Sequence, residues 1–260
     1  MVATNLPALL AVALLFSRGY AARPAHANLT ARAPSTVARG VIIEHCTVPG
    51  VVALTFDDGP FVYTSHMLDV LDDFGAKATF FINGENWSRG INDFSTPWPD
   101  ILRRIDNSGH QIGSHTWSHA DLSTIDSHSR QFQIHHLEKA LFDVLGKAPT
   151  YLRPPYASCS AECLWETEQM GYHVVNFDVD PKDYLHQEAG DIGAAMENFS
   201  RALDEQRFGN SFLVLSHDSL LHTAESLVPW MLMEIQQRGY KAVTVGECLG
   251  DPAENWYWGV

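Results

Sequence analysis

The stretch Val51-Val52-Ala53-Leu54-Thr55-Phe56-Asp57-Asp58-Gly59-Pro60 combines a strand signal with a pair of carboxylates. Its first six residues are apolar or β-branched and Gly59-Pro60 follows, which predicts a buried strand that ends in a turn. Successive side chains on a strand point to opposite faces. We therefore expect Asp57 and Asp58 to act separately, one binding a metal ion and the other serving as a base. The alternative is that Asp-Asp-Gly is only a solvated turn.

Strand-like and helix-like stretches alternate from this strand onward. Seven strands are predicted, at 51–56, 78–83, 110–114, 150–153, 172–178, 211–216 and 241–245. Helices are predicted between them, at 64–74, 99–107, 127–145, 160–170, 191–206 and 223–238. This alternation predicts an α/β fold, either a parallel barrel with outer helices or an open doubly wound sheet. No GxGxxG or GxxxxGK[ST] motif follows a predicted strand, which disfavours nucleotide binding.

The two ends of the chain differ from this pattern. Residues 1–27 contain the apolar run Leu6–Phe16 followed by small-residue cleavage sites, which predicts a signal peptide and secretion to the extracellular space or cell wall. A membrane span is the alternative, but the apolar run is too short for one. Residues 28–42 are predicted to be a flexible leader, 43–250 one α/β domain, and 251–260 a docked C-terminal tail.

The chain is strongly acidic. It has 17 Lys and Arg against 31 Asp and Glu, a net charge of −14. Residues 1–27 hold two arginines and no acid, so their removal leaves a net charge of −16. Such a charge disfavours nucleic acids and anionic membranes as partners and keeps a secreted protein soluble. We expect a monomer.

All four cysteines lie after the predicted signal peptide, which predicts two disulfides in an oxidising compartment. Three pairings are possible. We favour Cys159 with Cys163 and Cys46 with Cys248, because the pair that is near in sequence needs no long-range rearrangement. A zinc site made of the four thiolates is disfavoured, since the chain has no CxxC. Sequons at Asn28, Asn86 and Asn198 are consistent with a glycoprotein.

Polar side chains follow five of the predicted strands. In parallel barrels the residues of an active site stand at the carboxyl ends of the strands. One polar residue at such a position carries little information, but their recurrence predicts a shared site. The residues at these positions are Asp57, Asp58, His115, His119, Arg153, Asp180, Asp183, His217 and Asp218.

His115 and His119 are four residues apart. On a helical turn this spacing puts both imidazoles on one side, within reach of one ion. Two histidines and one carboxylate are a common zinc ligand set that leaves a coordination position for water. The spacing alone is equally typical of an exposed helical pair, but Asp58 as a third ligand favours a metal site. Softer metals are disfavoured because no thiolate is near.

Arg153-Pro154-Pro155-Tyr156 predicts a rigid turn without two backbone donors. We expect Arg153 to hold a carboxylate and the Tyr156 amide to face an oxyanion, with a purely structural turn as the alternative. His217 ends an apolar strand, where a histidine is more often a hydrogen-bonded core residue. A neighbouring carboxylate, Asp183 or Asp180, would instead raise the pKa of His217 and make it a proton donor.

Five segments in this order resemble the motifs of the polysaccharide deacetylases, carbohydrate esterase family 4 with the NodB homology domain. They are Thr55–Pro60, His115–His119, Arg153–Tyr156, Asp180–Tyr184 and Leu213–His217. The resemblance spans about residues 46–248 and is greatest to secreted fungal chitin deacetylases. Tyr184 and Ala157 stand where Trp and Gly are more common in the family, at positions that shape the acceptor site.

The resemblance implies a distorted (β/α) barrel and metal-dependent removal of acetyl groups from N-acetylglucosamine polymers. It implies that Asp57 is the base and that Asp58, His115 and His119 bind the metal, Zn²⁺ first, with Co²⁺ or another divalent ion as alternatives. It further implies that Arg153 orients Asp57, that Asp183 tunes His217, and that His217 is the acid.

Chitin or chito-oligosaccharides are the expected substrate. Acetylxylan and peptidoglycan are alternatives that suit the same residues, and a non-catalytic cell-wall-binding protein is an alternative of another class. Aromatic side chains are expected to stack on the sugar rings, with Trp117 equally suited to the core. The candidates are Trp87, Trp98, Trp117, Tyr156 and Tyr184.

Overall fold

The computed structural model of the chain describes residues 35–85, 89–188, 190–205 and 210–259. The strands in these ranges are β1 (Ile42–Ile43), β2 (Val51–Asp57), β3 (Thr79–Ile82), β4 (Gln111–Ser114), β5 (Ala148–Pro149), β6 (Tyr151–Leu152), β7 (His173–Val175), β8 (Phe212–His217), β9 (Lys241–Val243) and β10 (Tyr257–Trp258). The α-helices are α1 (Thr64–Asp73), α2 (Trp98–Asn107), α3 (Ser127–Leu145), α4 (Ala161–Gln169), α5 (Ile192–Glu205), α6 (Val228–Gln237) and α7 (Val245–Cys248).

The main sheet is parallel, and β2 pairs with three of its strands. Its order is β1-β7-β6-β4-β3-β2-β8, and β9 also pairs with β2. Strand β8 covers one edge of β2 along Val52–Asp57. The other edge is therefore shared, with β9 beside Val51–Ala53 and β3 beside Thr55–Asp57. All seven residues of β2 are buried, as its continuous apolar run predicts.

The segment after β7 connects the two outermost strands of the sheet, β1 and β8. Val179 forms a parallel bridge with Val214 of β8, and the Leu215 amide donates to the Val179 carbonyl at 2.9 Å. On the other side, the Asn176 amide donates to the Ile43 carbonyl at 2.7 Å. The sheet therefore curves into a barrel with helices outside, which confirms the predicted distorted (β/α) barrel of about seven parallel strands.

The outer helices begin and end where local chemistry predicts. Helix α3 begins after Asp126, whose carboxylate accepts from the Ser129 amide at 2.7 Å, and ends before Gly146, which has a φ of 72°. The residues of α3 that recur every three or four positions are buried against the sheet. They are Arg130, Gln133, Ile134, Leu137, Ala140, Leu141 and Val144.

Several predicted elements are shorter than expected, and two of them lie near the candidate site described below. The predicted strand at 150–153 is reduced to Tyr151–Leu152, because Pro154 and Pro155 follow and lack backbone donors. The predicted helix at 223–238 begins with a π-helical turn, Thr223–Leu227, before α6 starts. This wider turn directs Thr223 toward the candidate site described below.

The ends of the domain are attached to the barrel. The last residues of the predicted leader contact the barrel, because Ile42 pairs with β7 in β1 and the Ala38 carbonyl accepts from His173 Nδ1. Tyr257 and Trp258 of the predicted tail form β10, which pairs with β5. The predicted signal peptide lies outside the described residues. Within the described residues, no helix is long and apolar enough to span a bilayer.

Both disulfides of the favoured pairing are present. Cys46 is joined to Cys248 across 202 residues, and Cys159 is joined to Cys163 across four. The first bond connects the segment before β2 to α7. The second lies just after the turn that carries Tyr156.

Candidate active site

Asp57 is the last residue of β2 and is buried against the guanidinium of Arg153. Nη1 of Arg153 donates to Asp57 Oδ1 at 2.9 Å and to Thr55 Oγ1 at 2.5 Å. The other guanidinium nitrogens donate to two backbone carbonyls at the end of β7. Arg153 is 1% exposed, so these bonds fix a buried positive charge beside the Asp57 carboxylate.

Three potential metal ligands meet beside this pair. Asp58 Oδ1 lies 3.7 Å from His115 Nε2 and 3.4 Å from His119 Nε2. The three ligand atoms all lie within 4.8 Å of one another. Burial lowers the pKa of both histidines, which favours the neutral imidazole that binds metals.

The tautomer of His115 also suits a metal. Its Nδ1 lies 2.8 Å from the backbone carbonyl oxygen of Arg153. Because a carbonyl oxygen only accepts, Nδ1 carries the hydrogen and Nε2 keeps its lone pair toward Asp58 and His119. One carboxylate and two imidazoles form a ligand set for Zn²⁺ with positions left for water and substrate. The donor atoms therefore fit a divalent metal ion.

Residues 115–119 form a loop, so the predicted helical turn is wrong. Thr116 and His119 have φ values of 71° and 55°, which a right-handed helix does not allow. The loop is held by Asn83, whose Nδ2 donates to the carbonyls of His115 and Thr116. The two imidazole rings still meet, with centroids 5.0 Å apart.

His217, at the end of β8, is paired with the buried carboxylate of Asp183. His217 Nδ1 donates to Asp183 Oδ1 at 2.8 Å, and the His217 amide and the Thr223 hydroxyl donate to Oδ2. Burial alone lowers the pKa of His217, but the attraction of Asp183 and the nearby carboxylates outweighs it and raises the pKa to about 9. Asp180, the alternative partner, instead accepts from the Tyr184 hydroxyl at 3.1 Å.

Backbone strain is concentrated in the loops around these residues. Among the described residues, six non-glycine residues have φ between 54° and 76°. Each such residue costs of order 1–2 kcal/mol and persists only where surrounding contacts hold it. All six follow strands β2, β4, β6 or β7 on the side of the candidate site: Asp58, Thr116, His119, Tyr156, Ala157 and Lys182.

A cavity of about 410 Å³ brings most of the predicted site residues together. Asp183 lies behind His217 and outside this cavity. Phe177 and Leu215, which the sequence analysis did not single out, contribute apolar lining. The lining residues are Asp57, Asp58, His115, His119, Arg153, Pro154, Tyr156, Ala157, Phe177, Tyr184, Leu215 and His217.

The predicted aromatic contacts divide into exposed and packed rings. Tyr156 and Tyr184 are 70% and 47% exposed at the cavity. Trp98 is only 8% exposed at the start of α2, so its prediction as a sugar contact is wrong. Trp117 packs on Gly84, where an added Cβ would lie 1.9 Å from its ring. Trp87 lies outside the described residues.

Asp218 is a buried carboxyl for which the sequence analysis assigned no role. It is 0% exposed, and its Oδ2 accepts from the Thr64 hydroxyl at 2.6 Å. Burial raises its pKa to about 7. The sequence feature that could have indicated a role for Asp218 is its position next to His217, directly after a predicted buried strand. Thr64 and Asn83 lie in a helix start and a strand end, where the sequence gives no such signal.

Comparison with known proteins identifies the family. Residues 44–175 match the profile of the family described as polysaccharide deacetylase. A chitin deacetylase of Pestalotiopsis sp is 48% identical over 223 residues, which cover 86% of this chain and 72% of that protein. A chitin deacetylase of Colletotrichum lindemuthianum is 43% identical over 245 residues, which cover 92% of this chain and 96% of that protein.

Solved structures agree with the sequence matches. The structure of the chitin deacetylase from Colletotrichum lindemuthianum superposes with a TM-score of 0.82 at 42% identity, covering 86% of this chain and 98% of that one. The Bc1960 peptidoglycan N-acetylglucosamine deacetylase superposes with a TM-score of 0.68 at 28% identity, covering 82% and 94%. These matches confirm the resemblance inferred from the five motifs: the chain belongs to the polysaccharide deacetylase family, whose members are metal-dependent.

Proposed function

We propose that this protein is a chitin deacetylase. It hydrolyses the N-acetyl groups of N-acetylglucosamine units in chitin or chito-oligosaccharides, releasing acetate and leaving the free amine of chitosan. The observation that carries the proposal is that one cavity contains a carboxylate base candidate, a metal ligand set and an imidazole, His217, hydrogen-bonded to the carboxylate of Asp183. The relatives named chitin deacetylase, similar over most of the chain, support the choice of substrate.

Asp58, His115 and His119 would hold the metal, with Zn²⁺ as the first candidate and Co²⁺ or another divalent ion as alternatives. When bound, such an ion polarises the acetyl carbonyl and lowers the pKa of a coordinated water.

The protein's own groups then move two protons. Asp57 accepts the proton of the attacking water, while Arg153 holds the other carboxylate oxygen in place. His217, protonated at neutral pH and held through Nδ1 by Asp183, donates its Nε2 proton to the departing nitrogen. The amine is a very poor leaving group without that proton.

Two tyrosines complete the proposed site. The backbone amide of Tyr156 donates to the oxyanion that develops on the acetyl carbonyl. The exposed ring of Tyr156 packs against His119 and that of Tyr184 packs against His217, both at the cavity. There the two rings contact the sugar units. Trp87 is proposed as a further sugar contact.

Secretion is part of the proposal. Residues 1–27 would act as a signal peptide and place the enzyme outside the cell or in the cell wall. The two disulfides support this location, because such bonds persist in oxidising compartments. The catalytic domain would extend over residues 43–250.

The test is acetate release from chitin oligomers by the metal-free protein, before and after adding Zn²⁺, with the products identified by mass spectrometry. We expect no release without metal, restored release with Zn²⁺, and products lighter by one acetyl group per event. Acetylxylan and peptidoglycan are assayed in parallel. If either one is turned over faster than chitin oligomers, that polymer is the substrate in place of chitin. If no acetate is released from any of the three, a wall-binding protein is favoured.

Asp57→Asn tests the base assignment. We expect it to reduce turnover by about 10²-fold to 10⁴-fold, the usual contribution of general base catalysis, while Zn²⁺ binding persists. Asp73→Asn, an exposed acid on α1, is the matched control and should keep wild-type turnover. Wild-type turnover in Asp57→Asn would refute the role of Asp57.

A further inference from the structure

The loop that carries Asp58 needs support on its far side. Asp58 has a φ of 76°, a conformation that an L-residue keeps only when neighbouring contacts hold it. On its N-terminal side, Asp57 is paired within the sheet to both β3 and β8. On its C-terminal side, the chain leaves the sheet through Gly59, Pro60 and Phe61, and the Gly59 carbonyl accepts from the Asn83 backbone amide at 3.0 Å. What holds this second side decides where the Asp58 carboxylate stands.

Beyond Gly59, a chain of hydrogen bonds that ends at Asp218 holds the loop. The Phe61 amide donates to the Thr64 hydroxyl at 2.8 Å, and that hydroxyl donates to Asp218 Oδ2 at 2.6 Å. The Asp218 amide donates back to the Asp57 carbonyl at 3.3 Å. These contacts form a closed ring that begins and ends on the two sides of Asp58. Thr64 and Asp218 are both 0% exposed, so water does not compete for the bonds.

The carboxylate of Asp218 also fills the space beneath the loop. A Cβ added to Gly59 would lie 2.1 Å from Asp218 Oδ2 and 2.4 Å from Oδ1. The loop therefore rests directly on the carboxylate, without a gap. An apolar residue would fill a buried position at lower cost, because a buried carboxyl loses its hydration. Oδ1 has no hydrogen-bond partner in the part of the chain that the structure describes, so it lowers the free energy of unfolding. We therefore expect Asp218 to have a role other than stability.

We propose that Asp218 is a positioning residue that, through Thr64, holds the loop Asp57–Phe61 and thereby sets the Asp58 carboxylate against His115 and His119. The inference rests on the proposed function of those three residues as metal ligands. Partners that orient a metal ligand commonly contribute 10-fold to 100-fold to metal affinity. Asp218 does not line the cavity, so we expect it to act through the loop.

The test measures Zn²⁺ affinity by titration calorimetry of the metal-free full chain, together with its thermal unfolding. Asp218→Leu removes the acceptor and Thr64→Val removes the donor. Each is expected to weaken Zn²⁺ binding by about 10-fold to 100-fold. Thr64→Ser keeps the hydroxyl and should bind Zn²⁺ as the wild type does. Both residues act in one chain of bonds. The double variant should therefore bind Zn²⁺ no less tightly than the single variant that binds it less tightly.

Asp251→Asn is the matched control for a buried carboxyl. Asp251 is 3% exposed and accepts from the Tyr151 hydroxyl at 2.7 Å and from Asn255 Nδ2 at 2.9 Å. We expect it to lower the unfolding temperature and leave Zn²⁺ affinity unchanged. If the role of Asp218 were purely structural, Asp218→Leu and Thr64→Val would likewise lower the unfolding temperature and leave Zn²⁺ affinity unchanged.

Two outcomes overturn the inference and are distinguishable. If the wild type binds Zn²⁺ and both Thr64→Val and Asp218→Leu bind it equally well, the positioning role is wrong and the proposed metal site stands. If the wild type binds no divalent ion, the metal site itself is wrong and the inference falls with it. Thr64→Val changes only one hydroxyl to a methyl, so it keeps the test decisive if Asp218→Leu fails to fold.

Discussion

His115 and His217 each donate from Nδ1 to a fixed acceptor, but the two acceptors differ in charge. His115 donates to the neutral backbone carbonyl of Arg153, and burial lowers its pKa. His217 donates to the carboxylate of Asp183, and its pKa is raised to about 9. A neutral imidazole is suited to a metal and an imidazolium to proton donation. The partner of Nδ1 thus separates the two roles.

Asp183→Asn should shift the pH dependence of deacetylation. In the proposed mechanism deacetylation needs protonated His217, so the wild type should lose activity as the pH rises through about 9. Without the negative charge of Asp183, the pKa of His217 falls and this loss should occur about one to three pH units lower. The measurement is kcat/KM against pH. Asp180→Asn is the control, because Asp180 accepts from the Tyr184 hydroxyl and not from His217. In this variant the loss of activity at high pH, the basic limb of the profile, should stay where it is in the wild type. An unchanged basic limb in Asp183→Asn would contradict the role of His217.

Gly59→Ala should destabilise the protein because the new Cβ would lie 2.1 Å from Asp218 Oδ2. Overpacking of a buried position costs about 1–3 kcal/mol, which denaturant unfolding will measure. Gly193→Ala in α5 is the matched control. An added Cβ there meets nothing within 4 Å, so the stability should equal or slightly exceed that of the wild type. Wild-type stability in Gly59→Ala would show that the loop can move away from Asp218.

The helices and strands were predictable to different degrees. Helix α3 has the predicted bounds, because its buried face repeats regularly and Gly146 marks its end. Strands β6 and β7 are shorter than predicted, since a run of apolar residues does not reveal which amides pair with a neighbouring strand. The π-helical turn Thr223–Leu227 has no sequence signal, because it depends on how Thr223 reaches Asp183 across the fold.

The site residues were predictable from their positions at strand ends, but their loop conformations were not. The spacing of His115 and His119 suggested a helical turn, whereas Thr116 and His119 adopt positive φ. Non-glycine residues enter that region only through contacts from elsewhere in the fold, such as the Asn83 side chain. The supporting role of Asp218 was likewise hidden, because Thr64 is 154 residues away in the sequence.

The sequon Asn198-Phe199-Ser200 lies in helix α5, and we expect it to remain unglycosylated. The Asn198 amide nitrogen donates to the Pro181 carbonyl at 3.0 Å, and Phe199 is 0% exposed. A glycan on that nitrogen would disrupt the contact with the loop that carries Asp183 and Tyr184. Peptide mass spectrometry of the protein from a glycosylating host should find Asn198 unmodified. A fully occupied glycan on an active enzyme would show that this contact is dispensable.

Two disulfides cross-link the barrel domain in addition to its packing. Cys46–Cys248 spans 202 residues and Cys159–Cys163 spans four. In the chain-entropy model, loss of the first bond costs about 5 kcal/mol and loss of the second about 2 kcal/mol. Denaturant unfolding of the Cys46→Ser/Cys248→Ser and Cys159→Ser/Cys163→Ser variants will measure both. A larger loss for the second variant would show that strain or local packing, and not loop length, sets their contributions.

Arg153 serves the site with two chemically independent parts. Its guanidinium grips Asp57, and its main-chain oxygen orients His115. A mutation can erase the guanidinium but leaves the main-chain oxygen in place. In the proposed mechanism, a descendant that lost the arginine side chain would therefore lose hydrolysis and still bind its metal ion. That single change is a short evolutionary route from an enzyme to a protein that only binds sugars.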